Sequence, residues 1–363
     1  MKGSKKIFII IGVSAAILLG GVWLLTDGGG SDSRGVRDDG KRRPSVLERM
    51  GLLAPEKALE DYIEQSVYPP NSRPLTDKNE DLLHPNARYE NLMPVEEGSS
   101  IYYLFTADKY HVVGNEAITF VLHAQEGNSK NAEKVRVTVH MARITKGHDP
   151  KKATFAANLP LAPDDSGTLS CEFVPASALP SQTASARFNA EVKFTAAGEQ
   201  AEVSIPFEYF PEPTIPARFT GSFTEEVKDG SLYINAGIEV FHPGFFIINA
   251  NLFDTKGEPV AYSIAKLELG RGHTRVPLLF FGKVLRESSA KPPYVLKNLR
   301  GYRFIEVTAP DPELMDRELI KDYDKEHVTR AYSKNSFSDK EWESEEKERR
   351  RRFLEKETIE AYE

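Results

Sequence analysis

Two residues with phosphate-binding chemistry, Gly282 and Lys283, follow the apolar run 276–281. A phosphate-binding loop has the pattern G-x-x-x-x-G-K-[ST], in which the glycines free backbone N–H groups to hold the phosphate oxygens. Here Pro277 stands where the first glycine is needed, and Val284 follows the lysine. The pattern therefore predicts a strand that ends or bends at Gly282 and not a nucleotide site.

Two S-x-x-K spacings, Ser263 with Lys266 and Ser344 with Lys347, match the pattern in which a lysine activates a serine nucleophile. The first pair falls in an alternating, strand-like segment, where residues three apart face opposite sides of a sheet. The second pair falls in a charged helical segment that lacks the accompanying S-D-N and K-T-G motifs. Neither pair predicts a catalytic site.

The histidines show no metal-binding spacing, because none forms an H-x-x-x-H pair or stands beside carboxylates at ligand spacing. No zinc site is predicted. His123 and His140 fall in strand-like segments, where ordinary hydrogen-bonded residues are favoured and a facing pair across a sandwich is the alternative. The single cysteine, Cys171, alternates with Leu169 and Phe173, which predicts a buried thiol without a disulfide. The histidines are His84, His111, His123, His140, His148, His242, His273 and His327.

Acidic residues that could bind calcium weakly occur at two predicted sandwich ends, as Asp164 with Asp165 and as Asp311 with Glu313. No D-x-[DN]-x-[DN]-G loop accompanies them. Carboxylate pairs for glycoside hydrolysis have a spatial spacing, so the sequence does not test that chemistry. The sequence predicts no cofactor and no metal centre, and weak calcium binding stays open.

Short alternating runs typical of β-strands must position these residues, and they fill most of the chain. They occupy residues 98–210 and 211–308, at the spacing of all-β sandwiches. Asp229-Gly230 and the segment 254–257 have the chemistry of tight hairpin turns. The predicted fold class is mainly β, with two tandem β-sandwiches.

The stretch 246–299 carries the pattern apolar-D-x-x-G-x-P-V-A, then G-x-x-x-V-x-L-x-F-x-G-K, then P-Y-x-L. It resembles an immunoglobulin-like β-sandwich module that recurs in bacterial surface and secreted proteins. The first sandwich is only generically similar to bacterial immunoglobulin-like domains. The resemblance implies two tandem immunoglobulin-like β-sandwiches and an accessory or interaction module, with no catalytic residues to carry over.

The amino end has the pattern of a membrane anchor. Residues 7–25 contain no charged side chain, and as a helix they match the ~30 Å of a bilayer's hydrocarbon core. Lysines within residues 1–6 predict a cytoplasmic stub, which places the bulk of the chain in the periplasm of a bacterium as a single-pass inner-membrane protein. A cleaved signal peptide is the alternative. The predicted anchor residues include Ile7, Phe8, Ile9, Trp23, Leu24 and Leu25.

The remaining segments are defined by composition. Residues 26–44 are polar and glycine-rich, which predicts a flexible linker. Residues 45–97 predict short helices, the second beginning at Pro55, followed by a proline-rich strap.

Residues 309–363 are dominated by charge and predict a helical tail with a capping box at Ser338 and Glu341. Trp342 and Phe353 share one predicted helix face. A solvated charged helix is favoured, and docking of this face against a partner or the preceding domain is the alternative.

The composition excludes some partners and favours others. A net charge of -7 without a basic face gives no footprint for nucleic acid. We expect a non-enzymatic, membrane-anchored periplasmic protein that presents β-sandwich surfaces to a protein partner in the cell envelope. A carbohydrate- or peptidoglycan-binding module is the alternative, and a hydrolase is a third hypothesis. The predicted partner-binding residues are Tyr102, Tyr103, Phe245, Phe246, Trp342 and Phe353.

Overall fold

The computed structural model describes residues 55–85, 92–129, 132–147, 149, 152–306 and 316–360. It shows a mainly β protein with two compact units. The larger unit comprises residues 68–341, and the smaller one comprises the described residues 55–67 and 342–360.

The predicted membrane anchor at residues 7–25 and the linker 26–44 lie outside the described residues. Within the described ranges, no helix is both long and apolar enough to cross a bilayer. The anchor therefore remains a sequence prediction. The same holds for its residues Ile7, Phe8, Ile9, Trp23, Leu24 and Leu25.

The elements are numbered in chain order. The α-helices are α1 (Pro55–Gln65), α2 (Glu80–Leu83), α3 (Pro175–Ala178), α4 (Gly282–Glu287) and α5 (Glu345–Glu360), and 3-10 turns span Glu212–Thr214 and Lys334–Ser336. The strands of the first half are β1 (Ser72–Pro74), β2 (Met93–Pro94), β3 (Ile101–Ala107), β4 (His111–Val113), β5 (Ile118–Glu126), β6 (Lys134–Val135), β7 (Val137–Lys146), β8 (Thr154–Leu159), β9 (Ala162–Pro163), β10 (Leu169–Phe173), β11 (Ala186–Ala196) and β12 (Glu199–Phe210). The remaining strands are β13 (Ala217–Lys228), β14 (Ser231–Val240), β15 (Gly244–Phe253), β16 (Pro259–Leu269), β17 (Gly272–Phe280), β18 (Val295–Phe304), β19 (Arg317–Tyr323) and β20 (His327–Val328).

The first sandwich packs two sheets face to face. Sheet I has the order β2-β3-β5-β10-β9, with β6 beside β5, and sheet II has the order β4-β12-β11-β7-β8. Alternation along β5 turns Phe120 and Leu122 inward and Val121 outward, as a half-buried strand requires. The ring of Phe120 meets that of Phe207 on β12 edge-on, with centroids 5.7 Å apart. The shared core lies between these sheets.

The second sandwich has the same layered plan. Sheet III has the order β1-β16-β15-β18-β19, with β20 beside β18, and sheet IV has the order β13-β14-β17. Ile234 and Leu278 of sheet IV share one core with Phe246 and Ile248 of sheet III, and all four side chains are buried. This sandwich contains the segment 246–299 that suggested an immunoglobulin-like module.

Two predicted boundaries are wrong because distant segments add strands to sheet III. Residues 45–97 were predicted to be helices and a strap, yet β1 pairs with β16. Residues 309–363 were predicted to be a helical tail, yet β19 and β20 both pair with β18. Ile320 and Phe337 from this tail lie in the core of the second sandwich.

The smaller unit pairs α1 with α5. Helix α1 begins at Pro55, as predicted, whereas the capping box at Ser338 and Glu341 is wrong because α5 begins at Glu345. The hydroxyl of Ser344 accepts a hydrogen bond from the backbone N–H of Lys347 (3.0 Å) and so caps this helix.

The predicted hairpin turns are confirmed. Asp229 and Gly230 both have positive φ and join β13 to β14. Asp254 accepts hydrogen bonds from the backbone N–H groups of Lys256 and Glu258, and Gly257 follows with φ of +89°. Both turns depend on residues that tolerate the left-handed region.

Candidate functional site

The Gly-Lys pair is part of the scaffold of the second sandwich. Strand β17 ends at Phe280, as predicted, and α4 then begins at Gly282. A Cβ atom at Gly282 would lie 2.0 Å from the carbonyl oxygen of Gly230, so this backbone contact requires glycine. Lys283 forms an ion pair with Glu287 (2.7 Å) and donates a hydrogen bond to the carbonyl oxygen of Asp339 (3.3 Å). These contacts occupy the lysine within the fold.

The S-x-x-K serines have structural surroundings. Ser263 is buried on β16 while Lys266 is exposed, so the two side chains lie on opposite faces of sheet III. Ser344 caps α5, and the Nζ atom of Lys347 donates to the carbonyl oxygen of Trp342 (2.7 Å). Each serine therefore has a structural role, Ser263 buried within sheet III and Ser344 bonded to the backbone N–H of Lys347.

The remaining chemistry-bearing residues are also dispersed. His123 lies on the outer face of sheet I, because its neighbours Leu122 and Ala124 point into the core; a facing histidine pair across the sandwich is therefore wrong. Burial raises the pKa of the Cys171 thiol to about 11, which keeps it protonated. Asp164 accepts hydrogen bonds from Ser166 and from the backbone of Thr168, so its carboxylate closes a turn.

No cluster of three or more histidine, cysteine, aspartate or glutamate side chains suited to a metal ion occurs in the described ranges. Asp311 and Glu313 lie outside those ranges.

A shallow cleft of roughly 200 Å³ lies on the outer face of sheet IV. Its lining includes Ser222, whose hydroxyl is 2.8 Å from that of Thr220. His273 also lines it, but the ring lies 3.6 Å from Glu239. The serine and the histidine therefore have separate partners.

Glu225 forms a polar cluster that sequence reasoning missed. Its side chain is only 6% exposed on β13, and Oε1 lies 2.8 Å from Nε2 of His327. Oε2 accepts hydrogen bonds from the backbone N–H of Arg330 (3.0 Å) and from the hydroxyl of Tyr332 (2.8 Å). The ring of Phe223 stacks on His327 with centroids 4.4 Å apart. This cluster fastens the segment after β20 to β13.

The alternation of residues along β13 indicates from the sequence that Glu225 faces the core. Phe223, Glu225 and Val227 alternate along β13, opposite the core residues Ile234 and Leu232. A glutamate at a core-facing position requires buried donors.

A second cluster joins the two sandwiches through β19. Glu208 on β12 lies 3.3 Å from Nε2 of His111 and 3.7 Å from Nη2 of Arg317, and it accepts a hydrogen bond from Nε of Arg187 (3.2 Å). Burial alone would raise the pKa of Glu208, but the contact and charge of His111 and the charges of Arg317 and Arg187 outweigh it and hold the pKa at about 2. Its carboxylate is ionised at neutral pH.

Alternate residues of β19 extend this junction. Leu319, two residues after Arg317, packs on the cluster of Val113, Phe210 and Ile215. Lys321, two residues further, lies 3.9 Å from Glu116. One face of β19 therefore contacts the first sandwich while its other face supplies Ile320 to the core of the second sandwich. We call residues 317, 319 and 321 with their partners the junction.

An exposed apolar surface lies at the edge of sheet II. Strand β8 pairs only with β7 in the described ranges, which leaves its other edge open. Phe155 on β8 is 57% exposed and Met141 on β7 is 52% exposed. The exposed charged side chains of this surface are basic, at Arg143 and Lys146. We call this surface, residues 141–146 with 154–159, the β8 edge.

The predicted partner-binding residues do not form one site. Phe246 is fully buried in the core of the second sandwich, which removes it as a surface candidate. Tyr103 packs on the first core, edge-on to Phe194 at 5.1 Å, and Tyr102 and Phe245 are half-buried.

Trp342 and Phe353 belong to the smaller unit. Trp342 is half-buried, and its backbone N–H donates a hydrogen bond to the carbonyl oxygen of Val67 (3.0 Å). Phe353 is 51% exposed. The prediction that Trp342 and Phe353 share one helix face is wrong, because Trp342 precedes the first residue of α5, Glu345. Phe353 stays a candidate surface residue of α5.

Comparison with known proteins gives no family. No protein-family model matches the chain, and no curated protein matches it. Among solved structures, it is similar to a DUF4785 family protein from Legionella pneumophila, with 16% identity and a TM-score of 0.39 over 57% of this chain and 54% of that one. The adhesin InvE of Yersinia pseudotuberculosis has 9% identity and a TM-score of 0.19, covering 62% of this chain and 58% of its own.

The fibronectin(III)-like modules of Clostridium thermocellum CbhA have 11% identity and a TM-score of 0.21, covering 60% of this chain and 92% of theirs. The chain spans about half the length of the Legionella protein. TM-scores below 0.5 do not establish a shared fold, and none of these likenesses assigns a function to the chain.

Proposed function

We propose that this chain is a non-enzymatic binding protein of the bacterial cell envelope, which presents its two sandwiches to a protein partner. Residues 7–25 would hold it in the inner membrane as a single span with the sandwiches in the periplasm. The observation that carries the proposal is the β8 edge, where a strand with no outer partner among the described residues carries exposed Phe155 and adjoins β7 with exposed Met141.

The β8 edge fits an extended segment of the partner. Unpaired N–H and C=O groups at a sheet edge can bind an added strand, and side-chain contacts beside them supply specificity. Arg143, Lys146 and Lys152 are exposed around this edge, while β8 itself carries no charge. The partner segment would therefore carry acidic residues and an apolar side chain that covers Phe155.

Site-specific crosslinking in intact cells tests this proposal. A photo-crosslinking amino acid at Phe155 or Met141 should give the same crosslinked partner, and Phe155→Asp should abolish the crosslink from position 141. Phe304, which is 47% exposed in the second sandwich, provides the matched control position. The proposal fails if positions 155 and 141 give no crosslink, or if position 304 captures the same partner equally well.

A reporter fusion tests the cellular location separately. Alkaline phosphatase fused after residue 363 should be active in the periplasm. A cytosolic, inactive fusion would refute the proposed orientation while leaving the crosslinking result interpretable.

A further inference from the structure

One face of sheet III gathers polar side chains that have no assigned role. Arg73 on β1 is opposite Tyr262 on β16, and Tyr262 is opposite Asn251 on β15. Two residues before Asn251, Asn249 is opposite Arg300 on β18. Cross-strand partners and residues two apart share a face of the sheet. These side chains therefore lie on the outer face of sheet III, because Ile248 and Ala250 between them point into the core.

The segment 75–83 covers part of this face. Leu75 packs with Tyr262 and Ile264, and Leu82 and Leu83 pack against the same apolar cluster. Asn251 donates a hydrogen bond to the carbonyl oxygen of Leu82 (2.6 Å), which fixes the segment across the strands. The covering removes polar atoms of the face from water.

The two arginines carry buried donors without acceptors. Nε of Arg73 and Nη1 of Arg300 are both inaccessible to solvent and without a hydrogen-bond partner. Buried donors in folded proteins almost always have an acceptor, and an unpaired charged one is particularly unfavourable. Two such atoms on one face call for an acceptor from outside the chain.

Arg300 and Tyr262 are affected by the same carboxylate on this face, that of Asp81. Burial lowers the pKa of Arg300, while the carboxylates of Asp322 and Asp81 act in the opposite direction. Burial raises the pKa of Tyr262; the charge of Arg73 lowers this pKa and that of Asp81 raises it. Asp81 thus lies within electrostatic range of both Tyr262 and Arg300. The two arginines belong to one patch, with Cα atoms about 16 Å apart across three strand spacings and a shift of two residues.

Another arginine on β18 shows the ordinary arrangement. The guanidinium of Arg303 is bonded to Glu318 at 2.9 Å through two nitrogen atoms and also donates to the carbonyl oxygen of Pro243. The sheet can therefore supply acceptors to an arginine where only structure is required. Within the described residues, Nε of Arg73 and Nη1 of Arg300 have no such acceptor.

We propose that the outer face of sheet III binds an oxyanion ligand, a molecule bearing carboxylate or phosphate groups, through the guanidinium groups of Arg300 and Arg73. Guanidinium groups match carboxylate and phosphate oxygens with paired N–H donors. The hydroxyl of Tyr262 and the amide of Asn249 share the face between the arginines. This site goes beyond the proposed function, because it lies on the second sandwich whereas the β8 edge lies on the first.

Thermal unfolding and calorimetric titration of the purified full-length chain test the site, with inorganic phosphate in one arm and citrate in the other. Sodium chloride at matched ionic strength controls for screening. A ligand that binds only the folded state raises its melting temperature, and we expect a rise of about 2–4 °C at saturating ligand. A larger rise with phosphate assigns phosphate-bearing ligands, and a larger rise with citrate assigns carboxylate-bearing ones.

Variants separate binding from structure. Arg300→Met and Arg73→Gln should each remove at least half of the anion-dependent rise, and Arg300→Met should melt at no lower temperature than the wild type without anion. The control Arg303→Gln should melt at a lower temperature but keep the full rise.

The proposal is overturned if neither anion stabilises the wild type beyond sodium chloride, or if the rise survives in Arg73→Gln and Arg300→Met. If Arg300→Met fails to fold, Arg73→Gln and the calorimetric titration of the wild type decide the outcome.

Discussion

Glu225 is a carboxylate on the core-facing side of an edge strand, where burial would be costly without donors. His327, the backbone of Arg330 and the hydroxyl of Tyr332 supply these donors. An inward-pointing charge on an edge strand also discourages pairing with another chain. The residue therefore holds the carboxyl-terminal segment and protects the edge of sheet IV.

Replacing Glu225 by glutamine should destabilise the second sandwich. The change keeps the size of the side chain but removes its charge, so the charge-assisted bonds weaken and one donor is left unmatched. We expect a loss of about 2–4 kcal/mol. Hydrogen exchange resolved by peptide, over β13 and residues 327–332, measures it. Glu226→Gln, at an exposed neighbouring position, is the control and should change little; equal protection in both variants would contradict the role of Glu225.

The Glu208 carboxylate should make stability depend on pH in the acid range. Its folded pKa of about 2 lies below the ordinary value of 4.5, so its contribution is complete above pH 4.5 and is lost as the pH falls toward 2. The difference corresponds to about 3 kcal/mol. Glu208→Gln should remove this dependence in unfolding titrations at several pH values, while Glu202→Gln, in an exposed pair with Lys193, should keep it. Parallel curves for the wild type and Glu208→Gln would rule the contribution out.

Both residues show what local sequence does not reveal. The alternation in β13 marks Glu225 as core-facing, but it does not identify donors that lie about a hundred residues away. Tyr209 and Phe210 are consecutive buried residues, a sign that β12 is covered on both faces at its end. That sign predicts a neighbour for Glu208 without identifying Arg317.

At the scale of elements, the charged composition of β19 does not indicate that it is a strand of sheet III. Its sequence RELIKDY is mostly charged, and only Ile320 is buried in the core. Helical and tail-like predictions follow from such composition. The alternation of Arg317, Leu319 and Lys321 has a meaning only once the first sandwich is known to lie beside it.

Two truncations compare how much β19 and β20, on the one hand, and α5, on the other, contribute to the stability of the second sandwich. Removing residues 309–363 deletes β19, β20 and Phe337, so the second sandwich should become susceptible to limited proteolysis and melt at a lower temperature. Removing only residues 342–363 deletes α5 and should leave β13–β20 protected. A second sandwich that stays equally resistant after the longer truncation would show that β19 is dispensable.

The accuracy of the fold prediction follows the range of the interactions. The two sandwiches and the turns at Asp229 and Asp254 were predictable, because alternation and turn chemistry are local signals. The additions of β1 and β19 to sheet III were not, because the register of a distant strand is set by tertiary packing. The β8 edge and the junction depend on which strands end each sheet, and the sequence does not contain that order in readable form.

At the scale of the whole larger unit, the junction combines two ion pairs with an apolar contact between them. The pairs join Arg317 to Glu208 and Lys321 to Glu116, with Leu319 in the middle. The linker after β12 adds a further pair between Glu212 and Arg218 (3.1 Å). The pairs of Lys321 and of Arg218 are exposed and contribute little by themselves. The apolar contact of Leu319 and the partly buried Arg317–Glu208 pair are therefore the main support of the arrangement.

Leu319→Glu should separate the sandwiches without unfolding them. The new carboxylate would lie among apolar side chains and between Glu208 and Glu116, so it would be repelled as well as poorly solvated. Small-angle X-ray scattering should show a larger maximum dimension, and proteases should cut residues 211–216 faster, while the strands keep their hydrogen-exchange protection. Val328→Glu, at a position 57% exposed in the same sheet, should leave the scattering unchanged. If Leu319→Glu gave the wild-type scattering profile, the junction would not fix the relative placement of the sandwiches, and the covalent linker alone would have to do so.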